Sequence, residues 1–195
     1  MLELTDLLVE KRSQPVCQLS HLVVKAGDRL MITGENGAGK STLLRVIAGL
    51  EPKFSGRLNS NWPLQQRVYV HQNPVMFQGS VQRNVSFGLK ARGMSTAHRL
   101  KKTIAVMEQL NCRHLLTADA NRLSAGERRR VALARAIIIA PALLLLDEPF
   151  AELDAGGVDV VGQTLATLDA AVVIASPVCI PSAIQASTLV LQKPD

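Results

Sequence analysis

The sequence predicts an α/β fold: a parallel sheet carrying a glycine-rich loop, with a helical segment inserted into the middle of the chain. Three observations point there. Gly34 to Thr42, GENGAGKST, lies between a short apolar stretch and an amphipathic one, which is the order strand, loop, helix. Ala142 to Leu146 and Ala171 to Ala175 are short and wholly apolar, as strands covered on both faces are. From Pro74 the pattern changes from strand-like to helix-like for about 50 residues, then changes back.

In chain order, residues 2–9 and 16–25 read as two strands separated by the turn-like Lys-Arg-Ser-Gln-Pro. Lys25-Ala-Gly-Asp28 turns into a third strand, Arg29 to Thr33. After the glycine loop, residues 40–48 read as a helix with Leu43, Leu44 and Ile47 on one face and Gly49 as its stop. Pro52, Gly56 and Pro63 break residues 51–66, leaving a short strand at 56–60, and Arg67 to His71 is strand-like.

Ser80 to Leu89 is expected to be helical. Ser95 to Leu110 is expected to follow as a longer helix with Leu100, Ile104, Met107 and Leu110 inward, and Asn111 to Arg122 to be irregular. Ser124, three residues before Glu127, forms a capping-box pattern that opens a helix at 125–139. The remaining elements are the strand 142–146, a helix at 156–168, the strand 171–175 and a last strand at 188–191.

The 195 residues are read as one domain, 1–195, with residues 74–135 as the inserted helical subdomain. A chain this long buries about 70% of its unfolded surface and needs no covalent staples. Cys17, Cys112 and Cys179 are odd in number and lack metal spacing. They read as small buried hydrophobes in a reducing, cytosolic setting. No signal peptide is read at the N-terminus, and the greasiest run, Ala136 to Leu146, is far short of the ~20 residues that span a bilayer. A net charge of +6 does not by itself argue for nucleic acid. With 3% aromatics a stacking platform is not expected, so no nucleic-acid partner is assigned.

The loop fits G-x-x-x-x-G-K-[ST] through Gly34, Gly39, Lys40 and Ser41. In such a loop glycines let backbone N–H groups turn inward on an anion, and the following helix presents its positive end. Lys40 is placed for β- and γ-phosphates, and the Ser41 hydroxyl for Mg²⁺. Asp147 and Glu148 follow four leucines at the carboxyl end of a buried strand, the sheet edge where ligands bind in open α/β folds. Beside this loop Asp147 is read as a Mg²⁺ ligand, directly or through water, and Glu148 as the group that orients or deprotonates a water aimed at the γ-phosphate. Ser124 and Gly126, at a helix start, either cap the helix or form a second anion site. Arg128-Arg129-Arg130 reads as a solvated helix face.

The order GENGAGKST, then Gln72 after a strand, then LSAGERRRVALARA, LLLLDEP and AELD resembles the nucleotide-binding subunit of an ATP-binding cassette (ABC) transporter. The resemblance runs from about residue 2 to 191. It implies a P-loop NTPase core with a parallel sheet, an antiparallel β subdomain and the inserted helical subdomain. Gly34, Glu35, Asn36, Gly37, Ala38, Gly39, Lys40, Ser41 and Thr42 would bind ATP. Ser41, Gln72 and Asp147 would serve Mg²⁺, and Lys40, Gln72 and Glu148 would carry hydrolysis.

By the same resemblance Ser124 and Gly126 would reach the ATP of a second ABC ATPase chain, like or unlike, in a head-to-tail dimer. Asp154 would couple the two sites, and the segment around Gln72 would help form a groove for transmembrane permease subunits. The implied activity is ATP hydrolysis that powers transport through those subunits, at the inner face of a cell membrane, import before export. Ser80 to Gly93 resembles the same segment in importers of small solutes and oxyanions. The alternatives are a soluble ABC ATPase outside transport, or a nucleotide-binding partner that hydrolyses poorly.

Four departures from the family pattern stand out. Ala125 replaces a commoner glycine, and Glu127 a commoner glutamine. Ser176-Pro177 stands where the family usually has a histidine facing the γ-phosphate; loss of one such donor is expected to cost on the order of 10²–10³ in rate. Residues 9–18 lack the aromatic that usually stacks on adenine.

Overall fold

The computed structural model describes residues 1–177 and 181–194. Cys179 lies outside the described residues, while Cys17 and Cys112 are buried free thiols, as expected. The elements are β1 (Leu2–Lys11), β2 (Gln14–Val24), β3 (Arg29–Thr33), α1 (Lys40–Ile47), β4 (Ser55–Ser60), β5 (Arg67–Val70), α2 (Val81–Ala91), α3 (Thr96–Gln109), α4 (Ala125–Ile137), β6 (Leu143–Asp147), α5 (Ala155–Ala166), β7 (Ala171–Ala175) and β8 (Ser187–Val190). Every strand and helix expected from the sequence is present, with ends displaced by a few residues.

The strands form two sheets. β2, β1 and β4 make a three-stranded antiparallel sheet, and five strands in the order β5-β6-β7-β3-β8 make a parallel one. Because side chains alternate along a strand, β6 and β7 each feed two cores. Leu143, Leu145, Val173 and Ile32 join Leu2, Leu4, Leu43 and Leu44 between this sheet, α1 and the antiparallel sheet. Leu144, Leu146, Val172 and Ile174 join Val85, Met107, Val131 and Leu165 on the helical side. The uninterrupted leucines of β6 are the sequence trace of this two-sided burial.

Arg29 ties the sheet to α5. Its guanidinium donates to the carbonyls of Leu165 at 2.8 Å and Ala170 at 2.8 Å, and also to Leu168, so it satisfies carbonyls that the end of α5 leaves free. The irregular stretch after α3 has a comparable task. Val81 N–H donates to Ala118 O and Gln82 N–H to Leu116 O, each at 3.0 Å, which pins the start of α2.

One expected helix face is rotated. On α3, Met107 and Leu110 are buried as expected and Ile104 is half-buried, but Leu100 is 40% exposed. Thr103 and Val106 take the inward positions instead. Leu100 joins neither core, whereas Met94, just before α3, packs against the helical one.

Candidate functional site

The glycine loop leaves β3 and enters α1 through two close approaches. A Cβ on Gly34 would lie 2.2 Å from Leu191 O, and one on Gly39, at φ +94°, 2.4 Å from Val16 O. Side chains are excluded at both positions. Gly37, at φ +86°, meets nothing within 4 Å, and Glu35, Asn36 and Gly37 are exposed, so this arc of backbone is open. No side chain caps the first turn of α1, which leaves its amides available to an anion. Lys40 is buried, and its Nζ donates to Gly34 O at 2.7 Å and Glu35 O at 2.9 Å. Ala38 is buried beneath the arc, and Ser41 and Thr42 stand in the first turn of α1.

The end of β6 meets this loop. Ser41 Oγ donates to Asp147 Oδ1 at 3.0 Å, across 106 residues of sequence. Tyr69, on the neighbouring strand β5, donates its hydroxyl to Asp147 Oδ2 at 2.9 Å. Burial first, and then the adjacent carboxylate, push the Tyr69 phenol well above its ordinary pKa, so it remains a donor. Tyr69 escaped the sequence reading. Its one available signal was a lone polar aromatic on a strand destined to flank β6.

Glu148 follows at φ +48°, in the left-handed region. Its N–H donates to Ala175 O at 2.8 Å, and its Oε2 accepts from Gln72 Nε2 at 2.8 Å. Ser176 continues β7 beside this turn, buried, with its N–H donating to Ile32 O at 3.1 Å. His71 accepts from Asn73 N–H at 2.9 Å and stands edge-on to Tyr69.

Ser124 and Glu127 form the expected capping box. Ser124 N–H donates to Glu127 Oε2 at 2.8 Å, and Glu127 N–H to Ser124 Oγ at 3.3 Å. Those bonds hold the Glu127 carboxyl below its ordinary pKa. Gly126 faces Glu152 O, 3.0 Å from where a Cβ would stand, and Asp154 caps α5 through Gly157 N–H at 2.8 Å. Among the described residues no hydrogen bond joins Ser124 or Gly126 to residues 34–42.

The arginine run is not a solvated face. Arg128 and Arg130 are half-buried, and Arg129 is buried because its side of α4 faces the turn after β6. Arg129 Nη1 donates to Glu148 O at 2.7 Å and Nη2 to Glu152 Oε2 at 2.9 Å. Three consecutive arginines conceal which one points inward, since helical periodicity distinguishes apolar from polar positions but not one arginine from the next.

An apolar groove opens beyond β5, lined by Val75, Phe77, Phe87, Ile139 and Arg135. Val75 is 77% exposed, and the Phe77 and Phe87 rings lie 4.8 Å apart. Asn84, fully buried, holds the loop by accepting from Phe77 N–H at 2.7 Å and donating to Phe77 O at 2.9 Å.

The donor set suits a nucleotide with Mg²⁺. A carboxylate and a hydroxyl converge as hard oxygen ligands, uncapped amides and an ammonium face the same loop, and Glu148 and Gln72 stand next to them.

A family model described as ABC transporter matches residues 17–151. The chain is 44% identical over 140 residues to a molybdate/tungstate import ATP-binding protein of Thermococcus kodakarensis, covering 67% of this chain and 42% of that protein. It is 40% identical over 144 residues to a sulfate/thiosulfate import ATP-binding protein of Nephroselmis olivacea, covering 69% of this chain and 42% of that protein. The chain thus spans less than half the length of these relatives. Among solved structures, part of an ABC transporter complex of Clostridium perfringens superposes with a TM-score of 0.77 at 26% identity, covering 90% of this chain and 77% of that one. A dimeric bacterial ABC transporter cassette shares the fold with a TM-score of 0.84 at 22% identity, covering 99% of this chain and 95% of that one.

Proposed function

The chain belongs to the ABC transporter family, and from that premise we propose that it binds and hydrolyses ATP to drive solute import through separate transmembrane subunits. The observation that carries this is the convergence of Ser41 on Asp147 and of Gln72 on Glu148 at one sheet edge. In this proposal residues 34–42 bind the phosphates, with Lys40 leaving its loop carbonyls for the β- and γ-phosphates. Ser41, Asp147 and Gln72 would hold Mg²⁺, and Tyr69 orients the Asp147 carboxylate through its hydroxyl. The chemistry supplied by Mg²⁺ held there would be to offset negative charge on the phosphate oxygens. Glu148, steered by Gln72, orients a water for attack and accepts its proton.

The same proposal assigns residues 74–135 to the helical subdomain and the groove at Val75, Phe77 and Phe87 to a permease segment. It assigns Ser124 and Gly126 to the nucleotide of a second cassette chain. Import is favoured because the similar relatives are named import proteins, for oxyanions in both cases. Work at the inner face of a membrane follows from permease partners. Among the described residues no helix is long and apolar enough to cross a bilayer.

Ser176 favours a second function, a nucleotide-binding partner that hydrolyses slowly. One experiment separates the two: Mg-ATP hydrolysis and ATP binding by the chain, Lys40→Ala and Glu148→Gln. The ATPase predicts turnover that falls at least about 10²-fold in both variants. Binding without turnover supports the slow partner, and absence of binding removes both assignments.

A further inference from the structure

We propose that Arg129 is a positioning residue for Glu148, holding the turn after β6 in the one backbone conformation from which that carboxylate meets Gln72. The role rests on the hydrolytic function assigned to Glu148 above.

The peptide groups on either side of Glu148 are both fixed from outside the turn. β7 holds the N–H, through Ala175 O at 2.8 Å, and α4 holds the carbonyl, through Arg129 Nη1 at 2.7 Å. The other N–H directed at that carbonyl is Ala151's, at 3.3 Å within the turn. Glu148 and Glu152 both occupy the left-handed region, at φ +48° and +61°, which non-glycine residues keep only where the surroundings impose it. The Arg129 fork spans both: Nη1 takes the Glu148 carbonyl and Nη2 the Glu152 carboxylate at 2.9 Å. A planar guanidinium can serve two acceptors four residues apart; an ammonium delivers its charge to one.

The burial is not explained by stability alone. Arg129 is 5% exposed and its Nε lacks a hydrogen-bond partner among the described residues, so the fold tolerates a buried, imperfectly satisfied cation at this position. Its ion-pair partner Glu152 is itself 56% exposed, so the bond that needs the buried position is the one to the Glu148 carbonyl.

The test is steady-state Mg-ATP hydrolysis and direct ATP binding by the full chain, for the wild type, Arg129→Met, Arg129→Lys and Glu152→Ala, each checked by thermal melting. Arg129→Met is expected to lower kcat on the order of 10²-fold, the scale of a small displacement of a reacting group. ATP affinity and KM should stay within about threefold, because the phosphate loop is untouched. Arg129→Lys is expected to recover part of kcat.

If Arg129→Met does not fold, Glu152→Ala carries the test. It loosens the fork without removing the cation, and should lower kcat several-fold at unchanged KM. Wild-type kcat in whichever of these variants folds, kcat and ATP affinity lost in equal proportion, or an Arg129→Lys no better than Arg129→Met, would overturn the role. An inactive wild type would overturn the assigned hydrolysis together with it, whereas an active wild type beside an equally active Arg129→Met removes this role alone.

Discussion

Glu127 shows how much one carboxylate does at a helix start. Its Oε2 accepts from both the N–H and the hydroxyl of Ser124, and those bonds hold its pKa below the ordinary 4.5. A lowered folded-state pKa means that the ionised form is favoured by folding. The stabilisation is therefore fully present above the unfolded value and is lost as pH falls through the folded one. Glu127→Gln keeps an acceptor for Ser124 and has no charge to lose. The wild type should therefore lose melting temperature more steeply than Glu127→Gln below about pH 4.5, the two curves running parallel above it. Parallel curves throughout the acid range would remove the linkage.

At the scale of elements, α3 separates amphipathic pattern from actual burial. Met107 is fully buried in the helical core, while Leu100, seven residues earlier on the expected face, is 40% exposed. Met107→Ala should destabilise the chain by about 2–5 kcal/mol, the range for large-to-small changes in a core. Leu100→Ala should stay within about 0.5 kcal/mol of the wild type. Urea denaturation of both variants checks the contrast, and equal losses would restore the face read from periodicity. Two arginines contrast with Leu100: half-buried Arg29 and buried Arg129 are charged side chains drawn inward by carbonyls at the end of α5 and in the turn after β6.

At the scale of the molecule, α1, which follows the glycine loop, packs into one core and α4, which follows Ser124, into the other, on opposite faces of one parallel sheet. If each contributes to a nucleotide, a second chain turned head to tail supplies the missing half. Glu148→Gln in saturating Mg-ATP should then have about twice the monomer mass by light scattering and return to monomer when nucleotide is removed. A monomeric mass under those conditions would count against two-chain sites.

Much of this was determined by sequence alone, because it depends on local chemistry. Glycine at residues 34 and 39, lysine at 40 and serine at 41, between a strand and a helix, mark the loop assigned to phosphates, and an acid pair after apolar residues marks the strand end expected to face it. The Ser124 box is likewise written into four consecutive residues. The order of elements followed from periodicity, since side-chain spacing differs between strand and helix.

Tertiary structure decided what depends on approach between distant segments. Tyr69 meets Asp147 only because β5 pairs with β6, and Gln72 meets Glu148 across 76 residues. Which arginine of three is buried depends on where α4 meets the turn after β6, and Thr103 and Val106 rather than Leu100 turn inward on α3. Such contacts are set by packing between whole elements, and a local pattern carries no record of which surface its neighbour will bring.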